Sequence, residues 1–237
     1  MQKNWKFFTL IALTLFLASC NMEDEMPQDE TVQMTEEEAL EIVESALVED
    51  TEGVAKEAQE VEAAVESYAL ATNCGLSGDT TYSYTLDRPN ASGTYAVSWA
   101  WELICEGNLP SILEFDRSIQ GQYQTPRMES DDVATSTWSV NHLLAGQYYL
   151  LNGSYSRTGT QETNFQTTKN FDTELEMSIT DLAVDKDTGE ILSGLGEFTL
   201  IATSSTSTMV EHNGSIEFLG NQEATINING TIYNISW

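Results

Sequence analysis

The chain has 237 residues, of which 41% are hydrophobic and 9% aromatic, and its formal charge is −29. This length suffices for one substantial domain with a tether, or for two small domains at most. Because so negative a field repels phosphate backbones and anionic lipid surfaces, the composition argues against a nucleic-acid-binding protein.

The N-terminal segment has the layout of a secretory signal. Lys3 and Lys6 supply positive charge, and residues 7–17 follow without any charge. A membrane-spanning helix needs roughly 20 apolar residues, and this stretch is shorter. We therefore predict a cleaved leader over residues 1–19, with an uncleaved anchor helix as the alternative.

The tetrad Leu17-Ala18-Ser19-Cys20 resembles the lipobox at which bacterial lipoproteins are lipidated and cleaved. The resemblance implies that Cys20 begins the mature protein and carries a diacylglyceryl thioether and an acylated amine. Each buried methylene contributes roughly 0.8 kcal/mol, so two or three acyl chains make the attachment effectively permanent. The membrane, reached through this lipid, is the first predicted partner.

An acidic tether is predicted to follow the lipidated cysteine over residues 20–34. Its sequence is polar and without periodicity, and Pro27 interrupts it. The run Glu23-Asp24-Glu25 resembles the export tag that sends many Bacteroidota lipoproteins to the outer face of the outer membrane. A surface-exposed outer-membrane protein is thus expected, with a periplasm-facing one, or a charge run without any sorting role, as alternatives.

Residues 35–70 are predicted to form an acidic helical segment. Thr35 and Glu38 match a capping box. Apolar residues then recur at helical spacing before and after a weaker stretch at residues 49–53, which predicts one interrupted helix or two short ones. We expect the apolar stripe to pack on the following domain, although a partner-binding helix remains possible.

Residues 71–237 are predicted to form an antiparallel β domain, because the hydrophobic period changes to two. The longest such run extends from Tyr95 to Cys105. A second run includes Arg117 among its apolar positions, and the apolar parity shifts by one near Leu182, as a β-bulge requires. The expected architecture is a meander of roughly nine to eleven strands, forming a curved sheet, a sandwich or an incomplete barrel.

Hairpin turns are predicted at three Asn-Gly pairs, because the two central residues of a type I′ turn need positive φ. These pairs are Asn152-Gly153, Asn213-Gly214 and Asn229-Gly230. Residues 185–189 predict a fourth turn, and a calcium loop there is the weaker interpretation, since the 12-residue ligand series is missing.

The cysteine count agrees with export. With Cys20 lipidated, Cys74 and Cys105 remain as one possible pair. In an oxidising compartment we expect them to form a disulfide, with two buried free thiols as the alternative. No metal site and no cofactor are expected.

The chain beyond residue 35 also resembles a group of Bacteroidota envelope lipoproteins to which no activity is assigned. The similarity lies in short patterns, namely Glu38-Ala39-Leu40-Glu41, Cys74-Gly75, Trp99-Ala100-Trp101, Gly153-Ser154-Tyr155 and Ile226-Asn227-Ile228-Asn229-Gly230. The resemblance implies a location in the envelope and brings no catalytic residue with it.

Three aromatic residues are the candidate ligand-binding positions. Tyr95, Trp99 and Trp101 share one face of a strand, where their rings could stack on sugars or pack in the core. The two histidines, His142 and His212, are interpreted as surface residues. Strand-borne acids are interpreted as a solvated sheet face, namely Glu102, Glu114, Asp116, Glu174 and Glu176.

These patterns predict a non-enzymatic, lipid-anchored envelope protein with a structural or binding role. An envelope protein or a glycan is the expected partner. The first rival is a glycan- or small-ligand-binding module with an aromatic sheet face, and the less favoured second rival is a hydrolase.

Overall fold

In the described residues, two α-helices and a short 3₁₀ helix precede ten strands. This arrangement is seen in a computed structural model that describes residues 32–68, 74–165 and 167–237, all within one compact unit. The predicted leader, Cys20 and the tether up to residue 31 lie outside the described residues. The predicted mainly β fold, a meander preceded by a short helical segment, is confirmed.

The helical segment consists of α1 (Glu36–Ser45), a short 3₁₀ helix (Glu49–Thr51) and α2 (Val54–Tyr68). Its predicted capping box is present. The Thr35 amide donates to Glu38 Oε2 at 2.8 Å, and the Glu38 amide donates to Thr35 Oγ1 at 3.3 Å. The sequence predicted one interrupted helix or two short ones, and the structure has two short helices.

Gly53 allows the second helix to start against the end of the first. A Cβ at this position would lie 2.5 Å from the carbonyl oxygen of Ala46. Val54, the first residue of α2, donates its amide to the same oxygen at 2.9 Å. The preceding Glu52 has a φ of 61°, in the left-handed region that non-glycine residues rarely adopt.

The strands form one antiparallel sheet in the order of the chain. Strands β1 and β10 are its two edges. The strand bounds are β1 (Ser77–Asp87), β2 (Ser92–Glu106), β3 (Leu109–Gln124), β4 (Met128–Asn141), β5 (Tyr148–Asn164), β6 (Thr168–Asp185), β7 (Ile191–Ser204), β8 (Met209–Gly220), β9 (Glu223–Ile228) and β10 (Thr231–Ser236).

The sheet curves around the helical segment. Burial alternates along the strands, as the period of two predicts, and the buried face carries the core. Both edges reach the helices: Tyr82 of β1 donates to Glu60 at 2.5 Å, and Tyr233 of β10 donates to Glu36 at 3.3 Å. The helices therefore fill the inner face of an open, curved sheet.

The predicted parity shift in β6 is confirmed. The register between β6 and β7 is irregular between Thr180 and Ala183, and Asp181 has a φ of 52°. The Asp181 amide donates to Asn152 Oδ1 at 2.9 Å, so a side chain of the neighbouring strand supports the bulge.

Two of the predicted Asn-Gly turns are wrong. Asn229-Gly230 does form the β9–β10 turn, with φ values of 51° and 99°. Gly153 and Gly214, in contrast, lie inside β5 and β8. The physical reason is close approach: a Cβ on Gly153 would lie 2.1 Å from the Thr137 carbonyl oxygen and 2.7 Å from the Trp138 ring.

The sulfur atoms of Cys74 and Cys105 are bonded, with their Cα atoms 5.6 Å apart. Cys74 precedes β1, and Cys105 lies near the end of β2. Because 31 positions separate them, closing the loop stabilises the fold by roughly 3 to 4 kcal/mol on the chain-entropy model.

Substituting alanine for Gly214 is expected to destabilise the protein by about 1–3 kcal/mol. The added Cβ would lie 2.0 Å from the Asn227 carbonyl oxygen and 2.5 Å from the Phe198 ring. Gly196→Ala is the matched control, because its nearest neighbour would be at 3.4 Å, an ordinary contact. Urea denaturation of both variants measures the difference, and equal losses would show that close approach does not constrain Gly214.

Candidate functional site

Two arginines lie on the inner face of the sheet, among apolar neighbours. Arg117 is on β3, between the buried Phe115 and Ile119, and Arg157 is on β5, two residues after the buried Tyr155. Both guanidinium groups point at the helical segment. A buried cation is costly unless it is paired and hydrogen-bonded, so the partners of these two groups define the site.

Arg117 binds three carboxylates of the helical segment. Its Nη2 lies 2.5 Å from Glu52 Oε2, its Nη1 lies 3.1 Å from Glu57 Oε1, and its Nε lies 2.7 Å from Glu60 Oε2. The side chains of Arg117, Glu52 and Glu57 are at most 2% exposed. We call these four residues the Arg117 cluster.

Each carboxylate of the Arg117 cluster also accepts a hydrogen bond from an aromatic side chain of the sheet. The Tyr84 hydroxyl donates to Glu52, Trp138 Nε1 donates to Glu57 at 2.8 Å, and the Tyr82 hydroxyl donates to Glu60. Two residues of β1, one of β3 and one of β4 are thereby tied to α2 or to the turn before it.

The cluster is electrostatically uneven, because three carboxylates face one guanidinium. Burial raises the pKa of Glu57, although Arg117, Ser136 and Trp138 act in the opposite direction. Burial would lower the pKa of Arg117, but the carboxylates outweigh it and raise that pKa. Arg117 is therefore charged at every accessible pH.

Arg157 binds the carbonyl groups where α1 and the 3₁₀ helix end. Its Nη1 donates to the Ser45 carbonyl oxygen at 3.1 Å, and its Nη2 donates to the Thr51 carbonyl oxygen at 2.9 Å. The last turn of α1 contains no basic residue of its own. A cation near a helix C-terminus is favourable, so the sheet supplies the charge that the helix lacks.

Polar side chains continue from Arg157 across the inner face. Tyr123 accepts from Arg157 Nη1 at 3.0 Å and donates to Ser45 Oγ at 3.1 Å. Ser130 donates to Asp132 at 2.7 Å and accepts from Gln161 at 3.2 Å. These hydrogen bonds satisfy polar groups that would otherwise be buried without partners.

Glu38 ties the start of α1 to β5 and β6. Its Oε1 accepts from Thr163 at 2.9 Å, and its Oε2 accepts from Lys169 at 2.9 Å as well as from the Thr35 amide. Burial acts to raise the pKa of Glu38, but these hydrogen bonds and the charge of Lys169 outweigh it, so the pKa is lowered.

The predicted stacking residues lie mostly in the core. Tyr95 and Trp101 are 3% and 8% exposed, and Trp99 is half-buried, stacked on Phe115 with 5.4 Å between ring centroids. A shallow groove of about 660 Å³ is lined by residues of β1 to β6, such as Leu86, Gln122 and Asp131, and does not include these three rings. The structure therefore does not bring them together as an open platform.

The outer face carries the predicted solvated acids. Glu102, Asp116, Glu174 and Glu176 are exposed, and Glu114 is partly exposed.

The interpretation of both histidines as surface residues is wrong for His212. It is 4% exposed, its Nδ1 lies 3.0 Å from Asn229 Nδ2, and burial lowers its pKa. His212 has inward parity on β8, whereas His142 is exposed.

The residues at 185–189 form a hairpin turn rather than part of a larger ligand set. Asp185 Oδ1 accepts hydrogen bonds from the Asp187 and Thr188 amides at 2.9 and 3.0 Å. Within the described ranges, no group of three or more His, Cys, Asp or Glu side chains is arranged to hold a metal ion.

In the described part of the chain, no helix is long and apolar enough to cross a membrane.

Comparisons of the chain with protein-family models, with curated proteins and with solved structures find no significant match.

Both arginines and their partners were missed as a site by sequence reasoning, although a signal exists. Arg117 and Arg157 occupy apolar parity on their strands, and Glu57 falls on the apolar stripe of α2, three residues after Val54 and four before Val61. A charge at an inward position predicts a buried partner. The bonded groups all lie between the helices and the sheet. The contacts of Arg117 and Arg157 therefore fix the helices in place on the sheet.

Arg117→Met is expected to destabilise the protein by about 3–5 kcal/mol, because it leaves three carboxylates buried without their cation. Arg88→Met is the control. Arg88 pairs with Asp50 at the surface, where an ion pair contributes less than about 1 kcal/mol. Chemical denaturation at neutral pH compares the two variants. Similar losses would contradict the anchoring role of Arg117.

Glu38→Gln is expected to remove an acid-sensitive part of the stability. The folded pKa of Glu38 is lowered from its ordinary value of 4.5, so its contribution is present above that pH and is lost as the pH falls through the folded pKa. The variant should be about 1–3 kcal/mol less stable at pH 7, a difference that shrinks towards pH 3. Thermal unfolding across this range measures it. Glu37→Gln, at an exposed neighbouring position, should not change the profile.

Proposed function

We propose that the protein is an exported lipoprotein, held to the outer membrane by lipid on Cys20, whose β domain has a non-enzymatic structural or binding role at the cell surface. The observation that carries the proposal is the tetrad Leu17-Ala18-Ser19-Cys20, which closes the uncharged stretch after Lys3 and Lys6. The acidic run that follows Cys20 supports the surface location.

The disulfide supports export. Cys74 and Cys105 are bonded to each other, and such bonds persist in oxidising compartments outside the cytoplasm. Together with Cys20 they account for the three cysteines of the chain.

The organisation of the β domain supports a role exercised through its surface. The helical segment fills the inner face, and the carboxylates there are bound to Arg117 and to aromatic donors. A glycan-binding face built on Tyr95 and Trp101 gains no support, because both rings are buried. The outer face and the two ends of the sheet are therefore the surfaces that a partner would meet.

Cys20→Ala is expected to abolish incorporation of an alkyne-tagged palmitate analogue and to release the protein from the membrane fraction. The thiol that accepts the diacylglyceryl group is then missing. The Cys74→Ser/Cys105→Ser variant is the matched control and should keep both the label and the membrane fractionation. Full labelling of Cys20→Ala, or its unchanged fractionation, would refute the anchor.

Adding protease to intact cells in the same experiment tests the membrane face. Digestion of the wild-type domain is expected if it is displayed outside. Protection until the outer membrane is permeabilised would place it in the periplasm instead.

A further inference from the structure

The helical segment runs from one end of the sheet to the other. The Gln33 carbonyl accepts from Lys169 at the start of β6, so the chain enters at the end where β6 begins. Farther along, Gln59 of α2 lies against Gly189 in the turn after β6. We call the first end proximal and the second end distal. The distal end comprises the start of β1 and the turns β2–β3, β4–β5, β6–β7 and β8–β9.

Large apolar side chains are exposed mainly at the distal end. Within two residues of a strand terminus or in a turn there, the described residues include Leu76, Ile104, Leu109, Leu144, Tyr148, Leu192 and Leu219. At the proximal end the corresponding described residues are Met209 and Ile232. We call the seven residues the distal rim. Apolar side chains gathered at one end of a domain mark an interaction surface more often than scattered ones do.

Exposed carboxylates lie at the same end of the sheet. Glu106 ends β2, Asp187 and Glu190 lie in the β6–β7 turn, and Glu223 begins β9. Lys186 lies in the β6–β7 turn as well, but its Nζ donates to the carbonyl oxygens of His142, Leu143 and Ala145. The cation of the β6–β7 turn is therefore bound to carbonyl oxygens of the β4–β5 turn.

We propose that the distal rim binds a protein segment that is both basic and amphipathic. Apolar groups on such a segment would cover the exposed leucines, and its cations would meet the carboxylates at the same end of the sheet. The proposal rests on the proposed function, since a domain displayed at the cell surface meets partner proteins through its exposed residues.

Charge selects this occupant over a second copy of the chain. Two distal rims brought together would place like charges opposite one another, which disfavours association. The remaining rival is the segment of residues 69–73, which follows α2 and precedes β1 in the sequence.

The test uses the full chain as the Cys20→Ala variant, so that its outcome is independent of lipidation. The probe is a short fluorescent peptide of leucine and lysine arranged to form an amphipathic helix, and fluorescence anisotropy measures binding. Leu109→Ser/Leu144→Ser is expected to raise the Kd roughly tenfold or more, as loss of central apolar contacts does. Met209→Ser/Ile232→Ser is the matched control, because its residues are 68% and 65% exposed against 65% and 52% for the rim pair. It should change the Kd by less than about twofold.

Several outcomes would overturn the proposal. These are equal weakening by both pairs, no weakening by the rim pair, and equal binding of a peptide with the same composition in a non-amphipathic order. A fall in melting temperature confined to the rim pair would show that the chain's own segment of residues 69–73 covers the rim. A dimer that dissociates only in the rim variant, seen by analytical ultracentrifugation, would assign the surface to a second copy. Failure of palmitate labelling would refute the anchor and leave the peptide result standing.

Discussion

The contact between the inner-face arginines and the helical segment is the interaction on which the rest of the structure depends. Ten strands in sequence order form a wide curved sheet, and its inner face needs a filling. The helices provide it, and Arg117 and Arg157 fix their position. Arg117 holds the start of α2, and Arg157 holds the end of α1. Between these two points lies the turn at Glu52 and Gly53, which is bound from both sides.

Buried charges contribute position more than net stability. Taking a guanidinium and its carboxylates out of water costs nearly as much as their attraction returns. Apolar contacts are not directional, so the apolar stripes of α1 and α2 alone would tolerate sliding along the sheet. Each of the three carboxylates binds Arg117 and also accepts a hydrogen bond from a different aromatic side chain. All of these contacts form together in one arrangement of the helices on the sheet. The Arg117 cluster therefore fixes one docking of the helices on the sheet.

The fold could be predicted from the sequence to a considerable extent, because its periodicities are local. The period of two identified the strands, the capping box at Thr35 placed the start of α1, and the parity shift near Leu182 located a bulge. The glycines at 153 and 214 could not be placed from their dipeptides. An Asn-Gly pair favours a turn, but a glycine also admits a neighbouring ring such as that of Trp138, and that neighbour is known only from the register.

The candidate site was predictable only in part, because its contacts join residues that are far apart in the sequence. Arg117 has inward parity on β3, but no local pattern predicts its partner Glu52, which lies 65 positions earlier in the sequence. Tyr95 and Trp101 had the parity of core residues and of a binding face alike, and only their burial in the folded protein decides between the two. Local pattern establishes which side a residue faces, whereas tertiary packing establishes what lies there.

The order of the chain gives the acidic helices a further property. Ribosomes make residues 36–68 before any strand. The cations that bind this segment come later, because Arg117 lies 65 positions after Glu52 and Arg157 lies 112 positions after Ser45. During that interval the helices have no sheet to cover their apolar stripes. Their carboxylates, including those later buried, are then hydrated and keep the nascent segment soluble and self-repelling. The same side chains thus act first against premature association and later, once β3 and β5 are in place, as the ligands that dock the helices.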